Sequence, residues 1–162
     1  MIALRLTSVK DFMSHLLLSE TFDSFLFIEG EIVTFNTFTI DGYTQKAFFP
    51  DEEEIPEYSS WRALRDYCLT LIKGRKTPLS FKFIFSLSPH NITRLIEQNH
   101  LDFQPEAVGG LYLNIKYDGS NLLSITGTSM KTFTMDKSLE QAWDKMVQKF
   151  FSQKQIAYEV EG

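Results

Sequence analysis

The sequence predicts an α+β fold, an antiparallel sheet with helices packed on one face. Three observations carry this. Runs of period-two alternation and runs with a 3.6-residue apolar stripe both occur, and both recur in each half of the chain. Asp-Gly pairs at 41–42 and 118–119 follow apolar runs, the signature of tight turns between antiparallel strands. The elements, read in order, spell β-α-β-β-β-α twice, over residues 1–74 and 78–152.

Each element has its own reason. Ile2, Leu4 and Leu6 alternate with Ala3 and Arg5, which predicts an opening strand. Ser8 and Asp11 stand at capping-box spacing, ahead of a helix striped by Val9, Phe12, Met13, Leu16 and Leu17. FDSFLFIEG is apolar on both parities and predicts a central strand, with a turn around Gly30. IVTFNTFTID predicts the next strand; its apolar phase shifts between Val33–Phe35 and Phe38–Ile40, so a bulge is expected near Asn36. Asp41-Gly42 then leads into a third arm, YTQKAFF, followed by an acidic loop, DEEEIPE. Trp61, Leu64, Cys68 and Leu71 fall at i, i+3, i+7 and i+10 and predict a helix, with Gly74 beyond its end.

The second half repeats the order. Leu79 to Leu87 is the cleanest alternating strand in the chain. Ser88-Pro89 is an N-cap followed by proline at the first helical position, and Ile92, Leu95 and Ile96 form that helix's buried side. LYLNIKY, NLLSITGTS and MKTFTM predict three strands, with Gly127 a bend. Asp136 or Ser138 caps a last helix carrying Leu139, Trp143, Met146, Val147, Phe150 and Phe151. Residues 153–162 are expected to be a loose tail. The helices of the two halves align: Ser8 with Ser88 and Leu16 with Ile96 at an offset of 80, Trp61 with Trp143 and Cys68 with Phe150 at 82. That order resembles two duplicated folds, the sliding-clamp domain and the TATA-binding saddle.

The 162 residues suit a single domain, and 43% hydrophobic with 15 phenylalanines is ample for one core. The net charge of −5 argues against nucleic acid, because phosphate neutralisation supplies most non-specific binding. One cysteine forms no internal disulfide. Arg5, Lys10, Asp11 and His15 interrupt the first apolar run, so neither a signal peptide nor a membrane span is expected, and a cytoplasmic protein is.

LLLSETFDSFLFIEG, TFNTFTIDG, LIKGRKTPLSFKF and TGTSMKTFTMDKSLEQAWD together resemble an uncharacterised family of clostridia-type bacteria. The resemblance implies a bacterial, cytoplasmic protein and supplies no activity.

Candidate chemistry is sparse. Cys68 sits on an apolar helical stripe, as a small core residue does. His15, His90 and His100 lack metal-ligand spacing, and no cofactor motif is present. Lys73, Arg75 and Lys76 gather at a helix end, and Thr128, Ser129 and Lys131 surround Gly127; together these six are the candidate anion-binding residues. Asp51 to Glu57 reads as a solvated acidic loop, and Trp61 and Trp143 as matching core seals. The expected function is a non-enzymatic binding or regulatory module with a protein partner or a second copy of itself. The alternatives are an enzyme or sensor for a small phosphorylated or anionic ligand, and a clamp-like nucleic-acid protein.

Overall fold

The computed structural model describes residues 1–72 and 77–161. In chain order the elements are β1 (Ala3–Leu6), α1 (Val9–Leu17), β2 (Leu26–Val33), β3 (Thr37–Asp41), α2 (Trp61–Ile72), β4 (Ser80–Ser86), α3 (Pro89–Gln98), β5 (Val108–Tyr117), β6 (Leu122–Met130), α4 (Ser138–Gln153) and β7 (Tyr158–Val160). The strands form one fully antiparallel sheet in the order β3-β2-β4-β5-β6-β1-β7. The α+β class expected from the sequence is the class observed.

Alternation decides which face is the core. Leu4 and Leu6, Phe27 and Ile32, Phe81, Phe83 and Phe85, Leu111, Leu113 and Ile115 are buried. Their buried partners on the helices include Phe12, Leu16, Trp61, Ile92, Leu95, Trp143, Val147 and Phe151, in the same cluster. Between the buried strand positions lie the exposed Glu29, Glu31, Lys82 and Lys116, so the opposite face is open to solvent. The core is unusually aromatic. The Trp61 ring lies 5.4, 5.5 and 5.1 Å from Phe27, Phe83 and Phe85. Its indole N–H donates to the Leu16 carbonyl at 2.8 Å, which satisfies the one polar atom of a fully buried side chain. Trp143 does the same with the Tyr112 carbonyl at 3.0 Å.

The caps expected at Ser8 and Ser88 formed, whereas the last helix takes Lys137 rather than Asp136 or Ser138 as its N-cap, without a side-chain cap bond. The Asp11 N–H donates to Ser8 Oγ and the Asn91 N–H to Ser88 Oγ, each at a helix start. Asp136 Oδ1 accepts the Ser138 N–H at 2.9 Å ahead of α4. Asp118-Gly119 turns β5 into β6 with Gly119 at φ 98, a left-handed conformation that suits glycine. Two backbone N–H groups, of Asn121 and Ser120, donate to the Asp118 carboxylate and hold its pKa below the usual value.

Several expectations are corrected. β2 does not turn at Gly30 but runs through it to Val33, and the turn falls at residues 34–36. The shift of apolar phase marks that turn, not a bulge near Asn36; the bulge lies at Ile28. Gly30 serves close packing instead, since a Cβ there would meet the Phe27 and Phe83 rings at 2.6 and 2.8 Å. Asp41-Gly42 makes no hairpin. Gly42 is buried against the Phe27 carbonyl, and YTQKAFF holds only a bridge at Tyr43 and a short 3-10 turn. MKTFTM beyond Met130 is not a strand either: Phe133 and Met135 are exposed, with no face to cover. β6 passes through Gly127 without ending.

Each half therefore contributes β-α-β-β-α. Exchanging the halves would carry β4, which lies between β2 and β5, onto β1, which lies between β6 and β7. The sheet does not repeat the order seen along the chain, and the clamp and saddle analogies gain nothing from it. The expected loose tail instead joins the sheet. Ile156 is buried, and β7 pairs with β1 through Leu4–Val160, Arg5–Glu159 and Leu6–Tyr158. A core-seeking isoleucine and an unpaired β1 edge supply the reason.

Candidate functional site

A groove of about 630 Å³ lies between α3 and α4. Helix periodicity builds it. α3 turns Ile92, Leu95 and Ile96 into the core and leaves Asn91, Arg94 and Gln98 on its outer side. α4 buries Leu139, Ala142, Trp143, Val147 and Phe151 and leaves Lys145 and Lys149 facing out. The floor is apolar: Leu95, Ala142, Met146 and Phe150. Phe150 is locked from below by Phe22 and Phe25, each 5.6 Å away ring to ring. The rim is Arg94, Lys145 and Lys149 with the amides of Asn91, Gln98, Asn99 and Gln153.

No carboxylate lines this groove, although acidic residues outnumber basic ones in the chain by 21 to 16. Among the described residues no carboxylate lies within ion-pair distance of Arg94, Lys145 or Lys149. Lys145 and Lys149 are also i, i+4 neighbours, a like-charge pairing that costs a helix roughly 0.2–0.5 kcal/mol. Three unneutralised cations over an apolar floor can hold an anion and a hydrophobic body together.

Of the six residues singled out from the sequence, the described ones, Thr128, Ser129 and Lys131, are not gathered in this way. Lys73, Arg75 and Lys76 lie outside the described residues. Thr128 and Ser129 are consecutive in β6 and therefore take opposite faces. Thr128 turns toward a hollow of about 350 Å³ at the start of α4, its hydroxyl buried without a hydrogen-bond partner. Ser129 packs beside Gly109. Lys131 shares the Thr128 hollow with Lys137, but Asp136 and Glu140 line it too, so its charge is balanced. The sequence did carry a signal for the groove, the i, i+4 lysines in KMVQK, but Arg94 stands 51 positions before Lys145 and joins them only through helix packing.

Other polar clusters serve the fold. Thr126, buried on β6, donates to Asp144 Oδ1 at 2.5 Å and accepts the Ile2 N–H at 2.8 Å, which ties β1 and β6 to α4. Arg65 bonds the Ser19 carbonyl at 2.5 Å and pairs with Asp23 at 3.3 Å, fastening α2 to the loop after α1. The His15 ring meets the Thr21 hydroxyl at 2.9 Å, and Thr21 meets Ser19 at 2.8 Å within the same loop. Cys68 is fully buried and desolvation pushes its thiol up to about 12, which leaves no nucleophilic thiolate near neutral pH. No group of three or more His, Cys, Asp or Glu among the described residues is placed to hold a metal ion. No helix among them is long and apolar enough to cross a membrane.

Fold and groove together define a small α+β protein with one open sheet face and a cationic cleft on its helical side. The chain belongs to DUF5721, a family of unknown function whose model matches residues 15–159. No curated protein and no solved structure matches it.

Proposed function

We propose that the protein is a non-enzymatic binding module whose ligand is a small anion with an apolar portion, seated between α3 and α4. The observation that carries the reading is the convergence of Arg94, Lys145 and Lys149, without a carboxylate, over Leu95, Met146 and Phe150. A phosphate or carboxylate would take the cations, and the apolar floor would cover the rest of the ligand. Evolving such a surface costs stability through like-charge repulsion, and a bound anion removes that cost. The site sits in the cytoplasm of a clostridia-type bacterium on this reading, which the resemblance and a lone buried thiol support.

A thermal-shift panel tests it, comparing pyrophosphate, nucleoside monophosphates, medium-chain carboxylates and alkyl phosphates. A ligand at 100 times its dissociation constant adds roughly 2.7 kcal/mol of stability. The expected result is a shift that grows from pyrophosphate to the alkyl phosphates and falls with salt. A flat response across the panel overturns the reading.

A further inference from the structure

We infer that the chain self-associates through β3, two copies joining edge to edge about Thr39 into one continuous antiparallel sheet. This is independent of the groove, which lies between α3 and α4.

The two sheet edges are treated differently. β7 is three residues long, and its neighbourhood is charged: Arg5 of β1 is ion-paired with Glu159 and with Glu161. Short, charged edges resist pairing. β3 is five residues long, Thr-Phe-Thr-Ile-Asp, with a single charge at Asp41. Among the described residues no backbone group outside β2 bonds to the main chain of residues 37–41, and the Asp41 carboxylate accepts the Tyr43 N–H of its own chain at 2.9 Å.

The ladder shows which groups are unmet. The Gly42 N–H donates to the Ile28 carbonyl at 2.8 Å. Bonded and non-bonded positions alternate in an antiparallel pair, so Ile40 and Phe38 also bond to β2. Thr37, Thr39 and Asp41 then direct N–H and C=O outward, away from the sheet. A second β3 running antiparallel about a two-fold axis at Thr39 meets those same groups. The five residues supply about six main-chain hydrogen bonds.

The side chains fit that register. On the open face Thr39 meets Thr39 of the second copy, and each Asp41 meets a neutral Thr37. The charges therefore match without like-sign contact, since the two Asp41 residues fall at opposite ends of the ladder. On the core side Phe38 meets Ile40. Both are only half buried in one copy, because the sheet edge extends past the helix layer. The axis also carries the exposed Phe35, at 86%, toward the exposed Tyr43 of the second copy, at 47%. An isologous, self-complementary patch of this kind defines a closed dimer. The contact is a single five-residue ladder, so the association is expected to be weak and concentration-dependent.

The test is sedimentation equilibrium from roughly 1 to 300 μM with two variants. Thr39→Lys sets like charges opposite each other on an exposed face, so the fold stays and the dimer is lost; circular dichroism confirms the fold. Thr39→Cys gives a covalent dimer with a short thiol cross-linker, whereas Thr37→Cys does not, because its mate lies about 13 Å or more along the ladder. The native Cys68 is buried and does not compete. A monomer at every concentration overturns the inference. So does a dimer that survives Thr39→Lys or fails to cross-link at position 39.

Discussion

Lys145 and Lys149 stand one helical turn apart on the same wall of the α3–α4 groove, with Arg94 also on its rim. The arrangement is unfavourable for an empty protein and favourable for one that holds an anion. Stability and binding should therefore respond in opposite directions to the same change. Lys149→Gln is expected to raise the unfolding free energy by about 0.2–0.5 kcal/mol and to weaken anion binding several-fold. Urea titration and calorimetry on the same preparation check the two signs.

Gly42→Ala should be among the most damaging single-atom changes in the chain. The added Cβ would stand 1.8 Å from the Phe27 carbonyl oxygen, a backbone atom that has no room to retreat. We expect a loss of about 3 kcal/mol, at the upper end for overpacking, read as a lower denaturation midpoint with an unchanged slope.

Ile156→Ala should cost about 2–4 kcal/mol, because Ile156 is buried and holds β7 against β1. A loose tail would tolerate the change at no cost. The same variant should speed hydrogen exchange at Arg5, whose strand loses a neighbour, before it affects β4 in the middle of the sheet.

Asp118 gives a pH dependence of known sign. Its folded pKa lies below the unfolded value because backbone N–H groups of Asn121 and Ser120 favour the carboxylate. A depressed carboxylate contributes stability above its unfolded pKa and loses it as pH falls through the folded one. Asp118→Ala should thus be less stable than the parent at neutral pH, and the gap should close below the ordinary value of 3.8. A gap that stays constant down to acid pH would contradict the assignment.

Local signals were legible in the sequence where they were decided locally. Ser8, Ser88-Pro89 and Asp118-Gly119 specify caps and a turn through bonds within three residues, and all three formed. The stripes on α2 and α4 correctly placed Trp61, Cys68 and Trp143 in the core. The misreadings arose where a distant neighbour decides. Gly30 reads as a turn until Phe27 and Phe83 are seen to need its missing side chain. Asp41-Gly42 reads as a hairpin, but Gly42 bonds to Ile28 and Ser59 instead. Phe133 and Met135 continue an alternating pattern that has no strand beside it. Of the groove only the Lys145–Lys149 spacing was legible, since α3 and α4 lie far apart in the chain. The candidate pair Thr128 and Ser129 was separated by the simplest rule of a strand, that neighbours point to opposite faces.

The most direct measurement is calorimetric titration of an alkyl phosphate into the parent protein and into Arg94→Gln/Lys145→Gln/Lys149→Gln, at low salt. All three residues are exposed at their outer ends, so the variant should fold. The account predicts saturable one-to-one binding by the parent and at least about a hundredfold weaker binding by the variant, some 2.8 kcal/mol at 1.4 kcal/mol for each factor of ten. Equal affinity in the two proteins, or no binding by the parent, would contradict it.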